Sequence, residues 1–263
     1  MTYETIRIET DARGVATLTL ARADKHNAMS EQMLDDLTAA AGEIARDPSI
    51  RVVILAADGK SFCAGGDLAW MRAQMEMDPA TRSAQAGKLA YMLQALDTLP
   101  QPLIGRIHAN AFGGGVGMAS VCDIAIGAEG LLMGLTETRL GLIPATIGPY
   151  VVARMGAANA RRVFMSARRF GVDEAVTLGL LAKAVPADEL DAAIEAEVSP
   201  YLSCAPGAVA EAKALIRALS KPIDTQVIEH TIKALAHRWE SPESGEGIAA
   251  FFEKRAPNWL RSE

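Results

Sequence analysis

Two segments of the sequence each join an apolar run to a glycine turn: Ser61-Phe62-Cys63-Ala64-Gly65-Gly66-Asp67-Leu68 and Asn110-Ala111-Phe112-Gly113-Gly114-Gly115-Val116-Gly117. The runs before them, 52–56 and 103–107, have the unbroken apolar character of buried strands. Each segment is therefore a predicted strand-to-helix junction. The first N–H groups of a helix have no partner within it, so two such junctions could stabilise a carbonyl oxygen that develops negative charge. The alternative is that the glycines only form tight turns.

The rest of the chain alternates predicted strands and helices before it becomes helical. The runs 3–9 and 15–20 predict a β-hairpin, Ser30 is a predicted helix N-cap, and 81–96 is a predicted helix. Beyond Pro186 the β-branched runs disappear and amphipathic patterns predict helices over 187–202, 206–219, 225–239 and 244–254. This order predicts an α/β protein with a helical C-terminal part.

Composition and charge exclude several classes of protein. The 263 residues are 50% hydrophobic but only 5% aromatic, and they carry a formal net charge of -6 without a long block of either sign. We therefore expect no nucleic-acid partner. The longest uncharged stretch, between Arg106 and Asp123, is too short and too polar to span a membrane. The N-terminus lacks the pattern of a signal peptide, which predicts a cytoplasmic protein.

Several motif-based interpretations also fail. Met118 stands where a dinucleotide-binding G-x-G-x-x-G would need glycine, and the P-loop, G-x-S-x-G and H-E-x-x-H motifs are absent. The four histidines are not spaced as a metal site. Cys63, Cys122 and Cys204 are odd in number and widely separated, so they are predicted to be reduced, buried and apolar in role.

The sequence resembles the crotonase, or enoyl-CoA hydratase/isomerase, superfamily along nearly its whole length. Four segments carry the resemblance in order, and the tail 246–255 is similar to the family's last helix: Arg22-Ala23-Asp24-Lys25-His26-Asn27-Ala28-Met29, Phe62-Cys63-Ala64-Gly65-Gly66-Asp67, Phe112-Gly113-Gly114-Gly115 with Cys122-Asp123-Ile124, and Gly134-Leu135-Thr136-Glu137-Thr138-Arg139-Leu140-Gly141-Leu142-Ile143-Pro144. The resemblance implies a crotonase-like α/β spiral of ββα units over residues 1–195. It also implies a C-terminal helical trimerisation region over 196–263, and assembly as a homotrimer or as a homohexamer formed by a dimer of trimers.

The same resemblance assigns roles to individual residues. The thioester carbonyl of an acyl-CoA would lie between the backbone N–H groups of Ala64 and Gly114. Lys25 and Lys254 would meet the CoA phosphates, although on their own they would be interpreted as solvated surface lysines. The remaining substrate-binding positions implied by the match are Ala28, Cys63, Gly65, Asp67, Leu68, Gly113, Gly117, Thr136, Arg139 and Pro144. CoA is part of the substrate, so neither a separate cofactor nor a metal is expected.

The acid and base depart from the pattern of the family. Typical hydratases of this family use two glutamates; here the second is Glu137, and Gly117 occupies the position of the first. Glu137 could handle both proton transfers of a hydration, another group or a bound anion could replace the missing glutamate, or the reaction could be a proton shuttle. Glu137 could alternatively be a surface carboxylate paired with Arg139, and Arg139 could instead hold a carboxylated substrate.

Three functions follow from these alternatives. The first is a lyase that adds water to a 2-enoyl-CoA. Segments 112–117 and 137–156 most resemble bacterial hydratases of branched glutaconyl-CoA esters, such as methylglutaconyl-CoA in leucine degradation. The proline-containing stretch from Pro144 to Pro149 is then expected to line the acyl pocket. The second is a Δ3,Δ2-enoyl-CoA isomerase that uses Glu137 alone, and the third is a catalytically silent acyl-CoA-binding protein.

Overall fold

The computed structural model describes residues 2–260. The strands of this part of the chain are β1 Ile6–Thr10, β2 Val15–Leu20, β3 Val52–Ala57, β4 Leu103–Ile107, β5 Ala111–Phe112, β6 Ile124–Ala128, β7 Leu132–Gly134, β8 Arg169–Gly171 and β9 Lys183–Val185. Its α-helices are α1 Glu31–Arg46, α2 Leu68–Glu76, α3 Pro79–Asp97, α4 Gly114–Val121, α5 Gly148–Val163, α6 Val172–Thr177, α7 Leu190–Leu202, α8 Pro206–Leu219, α9 Thr225–Trp239 and α10 Pro242–Glu253. Short 3-10 helices occupy Ala23–Lys25, Glu137–Leu140 and Ala187–Glu189.

The larger sheet contains six strands in the order β1-β2-β3-β4-β6-β9. Strands β1 and β2 form the predicted antiparallel hairpin, whereas each later pair of neighbours in this sheet is parallel. Parallel neighbours need a crossover connection. Helix α1 crosses from β2 to β3, and α2 with α3 cross from β3 to β4, so the predicted alternation of strands and helices is confirmed.

A smaller sheet, β5-β7-β8, places the glycine turns next to each other. Strands β5 and β7 are parallel, with Phe112 opposite Gly134. Two single bridges extend this row, because Cys63 pairs with Ala111 and Met29 pairs with Gly66. The two glycine turns lie far apart in the sequence, but this pairing brings them to the same edge of the smaller sheet.

The main core is aliphatic, as the low aromatic content requires. Helix α1 illustrates how it forms: the side chain of Ser30 accepts a hydrogen bond from the N–H of Met33 at 3.3 Å, which confirms the predicted N-cap. Leu34, Leu37 and Ile44 follow at helical spacing and are buried in the main core. Each such leucine contributes about 1.5–3 kcal/mol on burial.

The C-terminal part is helical as predicted, but its first helix, α7, belongs to the packing of the main sheet. Helix α7 packs against β4 and β6, with Leu190, Ile194 and Val198 in a second apolar cluster beside the sheet. The predicted division between residues 195 and 196 therefore falls inside a helix that covers the main sheet. Helix α9 packs against α3.

Helix α2 follows the first glycine turn, as the predicted strand-to-helix junction at 61–68 requires, because the carboxylate of Asp67 accepts hydrogen bonds from the N–H groups of Ala69 and Trp70 and so caps the helix. One detail differs from the sequence-based predictions. Cys63 and Cys122 are buried as predicted, but Cys204 is exposed in the turn between α7 and α8. Among the described helices, none is long and apolar enough to cross a membrane.

Candidate active site

A cavity of about 400 Å³ lies where the glycine turns meet helices α2, α3, α9 and α10. This volume is in the usual range of a small-molecule site. Its lining comprises Met29, Ala64, Gly65, Gly66, Leu68, Trp70, Met71, Gln74, Arg82, Ala86, Leu89, Phe112, Gly113, Gly114, Thr136, Glu137, Arg139, Leu140, Leu142, Ile143, Pro144, Thr146, Ile147, Arg169, Leu235, Trp239 and Phe251. The wall is mostly apolar, so its few polar groups determine what it can bind and do.

Glu137 is the carboxyl group of this lining. It begins the short 3-10 helix that follows β7, and its Oε2 atom is buried with no hydrogen-bond partner in the described part of the chain. Burial raises the pKa of Glu137 to about 7. The carboxyl group can therefore accept or release a proton near neutral pH. The alternative interpretation, a surface carboxylate paired with Arg139, does not fit a buried oxygen without a partner.

Gly113 and Gly114 bring the backbone close to this carboxyl group. Gly113 has a φ of 51°, and a Cβ atom at this position would lie 3.1 Å from Glu137 Oε1. Gly114 is the first residue of α4, and its N–H has no hydrogen bond within residues 2–260. An open helix N-terminus next to a proton-transferring carboxyl group is suited to a substrate carbonyl that becomes an enolate.

The second predicted donor, Ala64, is already engaged. Its N–H donates to the carbonyl oxygen of His26 at 3.0 Å. His26 and Asn27 both adopt left-handed backbone conformations, with φ of 52° and 51°, and this turn directs the His26 carbonyl towards Ala64. Ala64 lines the cavity, but Gly114 is the open donor of the predicted pair. The oxyanion role of Ala64 stays a prediction.

The cavity brings together nine of the fifteen residues predicted from the sequence: Ala64, Gly65, Leu68, Gly113, Gly114, Thr136, Glu137, Arg139 and Pro144. Ala28 and Cys63 are buried outside it. Asp67 also lies outside, where it caps α2 and forms an ion pair with Arg22 at 3.0 Å. Asp67 thus has a structural role, and its contact with substrate stays a prediction.

The two lysines predicted for the CoA phosphates lie on the surface. Lys25 ends a 3-10 helix and Lys254 is the left-handed C-cap of α10, with a φ of 55°. Both are exposed, and neither lines the cavity. A contact with the charged end of CoA outside the acyl cavity stays a prediction for both.

Gly117 lies inside α4, and apolar side chains occupy the place of the missing glutamate. A Cβ atom on Gly117 would lie 2.7 Å from Ile147 Cγ2 and 3.6 Å from Leu93 Cδ1. Ile147 lines the cavity, whereas Gly117 does not. The packing therefore leaves no room for a second carboxyl group at position 117, because a glutamate there would displace the branched, buried side chain of Ile147.

Gly117→Glu is expected to destabilise the protein and not to add hydratase activity. Overpacking at Ile147 should lower the free energy of unfolding by about 1–3 kcal/mol, as measured by urea denaturation. Adding Ile147→Ala should recover part of the loss. Gly207 of α8 has open space around it, so Gly207→Glu is the matched control. Equal stability of Gly117→Glu and the control would show that the site accommodates a glutamate.

The last two helices close the cavity and hold the segment that carries Glu137. Leu235 and Trp239 from α9 and Phe251 from α10 are part of the lining. Arg238 donates from Nε to the carbonyl oxygen of Gly141 at 2.5 Å. Gly141 follows the 3-10 helix of Glu137, so this hydrogen bond joins α9 directly to that segment.

Beyond the predicted Leu68, helix α2 contributes three residues to the lining that were not predicted from the sequence, Trp70, Met71 and Gln74. The signal was present, because Asp67 precedes a run of good helix formers in the position of an N-cap. Arg169, Trp239 and Phe251 reach the cavity through long-range packing, for which a single sequence offers no local signal. Within the described residues, no group of three or more His, Cys, Asp or Glu side chains is arranged to hold a metal.

Residues 10–262 match the family model described as enoyl-CoA hydratase/isomerase. The chain belongs to this family. A probable enoyl-CoA hydratase of Mycobacterium tuberculosis is 32% identical over 265 residues, which cover 98% of this chain and 99% of the relative. By its sequence, this chain is therefore an enzyme of the enoyl-CoA hydratase/isomerase family.

Solved structures confirm the crotonase-like α/β fold of this member of the enoyl-CoA hydratase/isomerase family. An enoyl-CoA hydratase from Shewanella pealeana has a TM-score of 0.80 at 38% identity and covers 97% of this chain and 96% of its own. An enoyl-CoA hydratase from Mycobacterium avium has a TM-score of 0.85 at 29% identity, covering 98% of this chain and all of its own.

Proposed function

We propose that the protein hydrates 2-enoyl-CoA thioesters, with Glu137 as both base and acid. The observation that carries the proposal is a buried Glu137 carboxyl group, with a pKa of about 7, next to the open N–H of Gly114. Relatives that are named as probable enoyl-CoA hydratases support the same reaction. Both protonation states of Glu137 are accessible near neutral pH, as a group that alternates between the two roles requires.

The reaction proceeds through an enolate. The Glu137 carboxylate takes a proton from water while the water oxygen bonds to C3 of the substrate. The π electrons of the C2–C3 double bond move to the thioester oxygen, where Gly114 N–H donates to the developing negative charge. The protonated Glu137 then returns the proton to C2 as the carbonyl re-forms. One water is added, and no cofactor other than the substrate's own CoA takes part.

Isomerisation is the second candidate, because Ile147 and Leu93 fill the place of the other glutamate. In a Δ3,Δ2-enoyl-CoA isomerase, Glu137 would remove a proton from C2 and deliver it to C4 as the double bond moves. This reaction needs one carboxyl group and no water. The same Gly114 donor would stabilise the dienolate intermediate.

We further propose branched glutaconyl-CoA esters, such as methylglutaconyl-CoA of leucine degradation, as the substrates. The resemblance of segments 112–117 and 137–156 to hydratases of such esters supports this assignment. The cavity lining also contains arginines, and such cations can meet a substrate carboxylate. We place the reaction in the cytoplasm.

We also propose that the active form is a homotrimer or homohexamer. Helix α8 supports an association surface, because it exposes Leu215, Ile216 and Leu219 on the outside of the described chain. Leu219 is 80% exposed, which is unfavourable for a large apolar side chain unless another surface covers it.

Turnover in heavy-oxygen water tests the reaction directly. We expect methylglutaconyl-CoA to gain one labelled oxygen and crotonyl-CoA to be hydrated more slowly, as measured by product mass. Conversion of a 3-enoyl-CoA without label would favour the isomerase instead. Tight binding of these esters with no conversion of any of them would support the catalytically silent protein and contradict both enzymes.

A further inference from the structure

One wall of the cavity is built by α2 and α3, which follow the first glycine turn in the sequence. Its lining residues are Leu68, Trp70, Met71, Gln74, Arg82, Ala86 and Leu89. Five of these side chains are aliphatic or aromatic, and two, Gln74 and Arg82, are polar. Apolar walls with a few placed polar groups are how binding sites select one ligand among similar ones.

Gln74 has an unusual environment for a glutamine. The residue is 2% exposed, and its Nε2 atom is buried without a hydrogen-bond partner among residues 2–260. Leaving a buried amide donor unsatisfied is unfavourable by about 1–3 kcal/mol. The neighbouring glutamine of this region, Gln85, shows the usual arrangement, since it accepts from Trp70 Nε1 at 3.0 Å and donates to Glu31 at 2.8 Å. A ligand acceptor in the cavity would satisfy Gln74.

Arg82 adds a fixed positive charge to the same wall. Its Nε and Nη2 atoms donate to the carbonyl oxygen of Met77 at 3.0 and 2.6 Å, which anchors the guanidinium at the junction of α2 and α3. These two bonds leave Nη1 for another acceptor. Across the whole lining, three arginines accompany a single carboxyl group, Glu137, so the cavity favours an anionic ligand.

We propose that Gln74, with Arg82 on the same wall, recognises a carboxylate carried by the acyl chain of the substrate. This assignment rests on the proposed function, because it takes the cavity to bind the acyl part of a CoA thioester. Gln74 Nε2 donates to one carboxylate oxygen, and Arg82 supplies the opposite charge. Gln74 thereby makes the cavity selective for dicarboxylic acyl chains over simple fatty acyl chains of the same length.

Binding of two saturated esters tests this role without any turnover. Glutaryl-CoA and valeryl-CoA both have five-carbon acyl chains, but only glutaryl-CoA ends in a carboxylate. By calorimetry, the parent protein should bind glutaryl-CoA about 10- to 100-fold more tightly, the range expected for a hydrogen bond to a charged group. Gln74→Met keeps the length of the side chain and should remove most of that difference by weakening the binding of glutaryl-CoA, whereas valeryl-CoA, which has no carboxylate, should not bind more weakly.

Gln94→Met is the matched control, because Gln94 lies on α3 outside the cavity lining. Its affinities should equal those of the parent. Gln74→Met should melt at or above the parent's temperature, since it removes an unsatisfied buried donor; Gln74→Leu serves if the first variant does not fold.

Two results would overturn the proposal. In the first, the parent protein binds glutaryl-CoA and valeryl-CoA equally tightly. In the second, Gln74→Met or Gln74→Leu keeps the parent's preference for glutaryl-CoA. If the parent discriminates but converts no enoyl-CoA, the proposed reaction fails and the role of Gln74 stands.

Discussion

Glu137→Gln is expected to lower turnover of enoyl-CoA esters by about 100- to 10,000-fold, the range associated with losing a general acid–base group. Glutamine keeps the size of the side chain and its place beside Gly113, but it cannot exchange a proton. Affinity for a saturated acyl-CoA should therefore be retained. Initial rates and calorimetry measure the two effects separately. Glu129→Gln, a change at an exposed glutamate outside the cavity, should keep full activity. Full activity in Glu137→Gln would contradict the proposed mechanism.

The pH profile of the parent gives a second readout of the same residue. When the ionised carboxylate is the base, kcat/KM should increase about tenfold per pH unit below about 7 and level off above it, following the pKa of Glu137. A profile that levels off near the ordinary glutamate pKa of 4.5 would mean that the carboxyl group is not desolvated in the free enzyme.

The same pKa has a consequence for stability. The folded pKa of Glu137, about 7, lies above the ordinary value of 4.5, so the folded protein holds more protons between these values. The stabilising contribution is therefore present below pH 4.5 and is lost as the pH rises through 7. Glu137→Gln, which never ionises, should be more stable than the parent at pH 8, and this difference should shrink towards pH 5 in urea denaturation.

Gly141→Ala is expected to cause the second large effect, a loss of about 2–5 kcal/mol in the free energy of unfolding. Gly141 has a φ of 69°, which alanine adopts poorly. Its Cβ would also overlap the Glu243 carbonyl oxygen and lie 2.8 Å from the N atom of Ser244, in the first turn of α10. Backbone atoms in a helix cannot rotate out of the way as a side chain can.

Gly130→Ala separates the two contributions to this loss. Gly130 has a φ of 83°, but a Cβ there would meet nothing within 4 Å, so its cost of about 1–2 kcal/mol reports backbone strain alone. The excess in Gly141→Ala measures the packing of α10 on the Glu137 segment. Since that packing excludes water, the rise of kcat/KM in Gly141→Ala should move to lower pH. If both variants lost the same free energy of unfolding, α10 would be able to move away from the added methyl group without a loss of stability.

Patterns within one element were enough to predict much of the fold. The Ser30 cap, the β1–β2 hairpin, the strand before each glycine turn and the C-terminal helices follow from local periodicity and capping. A helix after the first glycine turn was predicted, but the cap at its start was not, because Asp67 was assigned to substrate binding. Cys204 was wrongly predicted to be buried, because its exposure depends on the tertiary placement of the turn between α7 and α8.

The site was predictable as far as backbone chemistry determined it. The glycine turn after a strand predicted Gly113 and Gly114, whereas Glu137 was implied by the family resemblance; the pairing of β5 with β7 brings them together. The occupied N–H of Ala64 and the unpartnered amide of Gln74 could not be predicted, because both depend on which atoms lie opposite in three dimensions. The same holds for Ile147, whose contact with Gly117 joins segments thirty residues apart.

The arrangement of α9 and α10 makes the chemistry of Glu137 dependent on the end of the chain. The carboxyl group belongs to the middle of the sequence, but Trp239 and Phe251, which line the same cavity, come more than a hundred positions later. Because burial is what raises the pKa of Glu137, a chain shortened before α9 should expose the carboxyl group and return its pKa towards the ordinary value of 4.5.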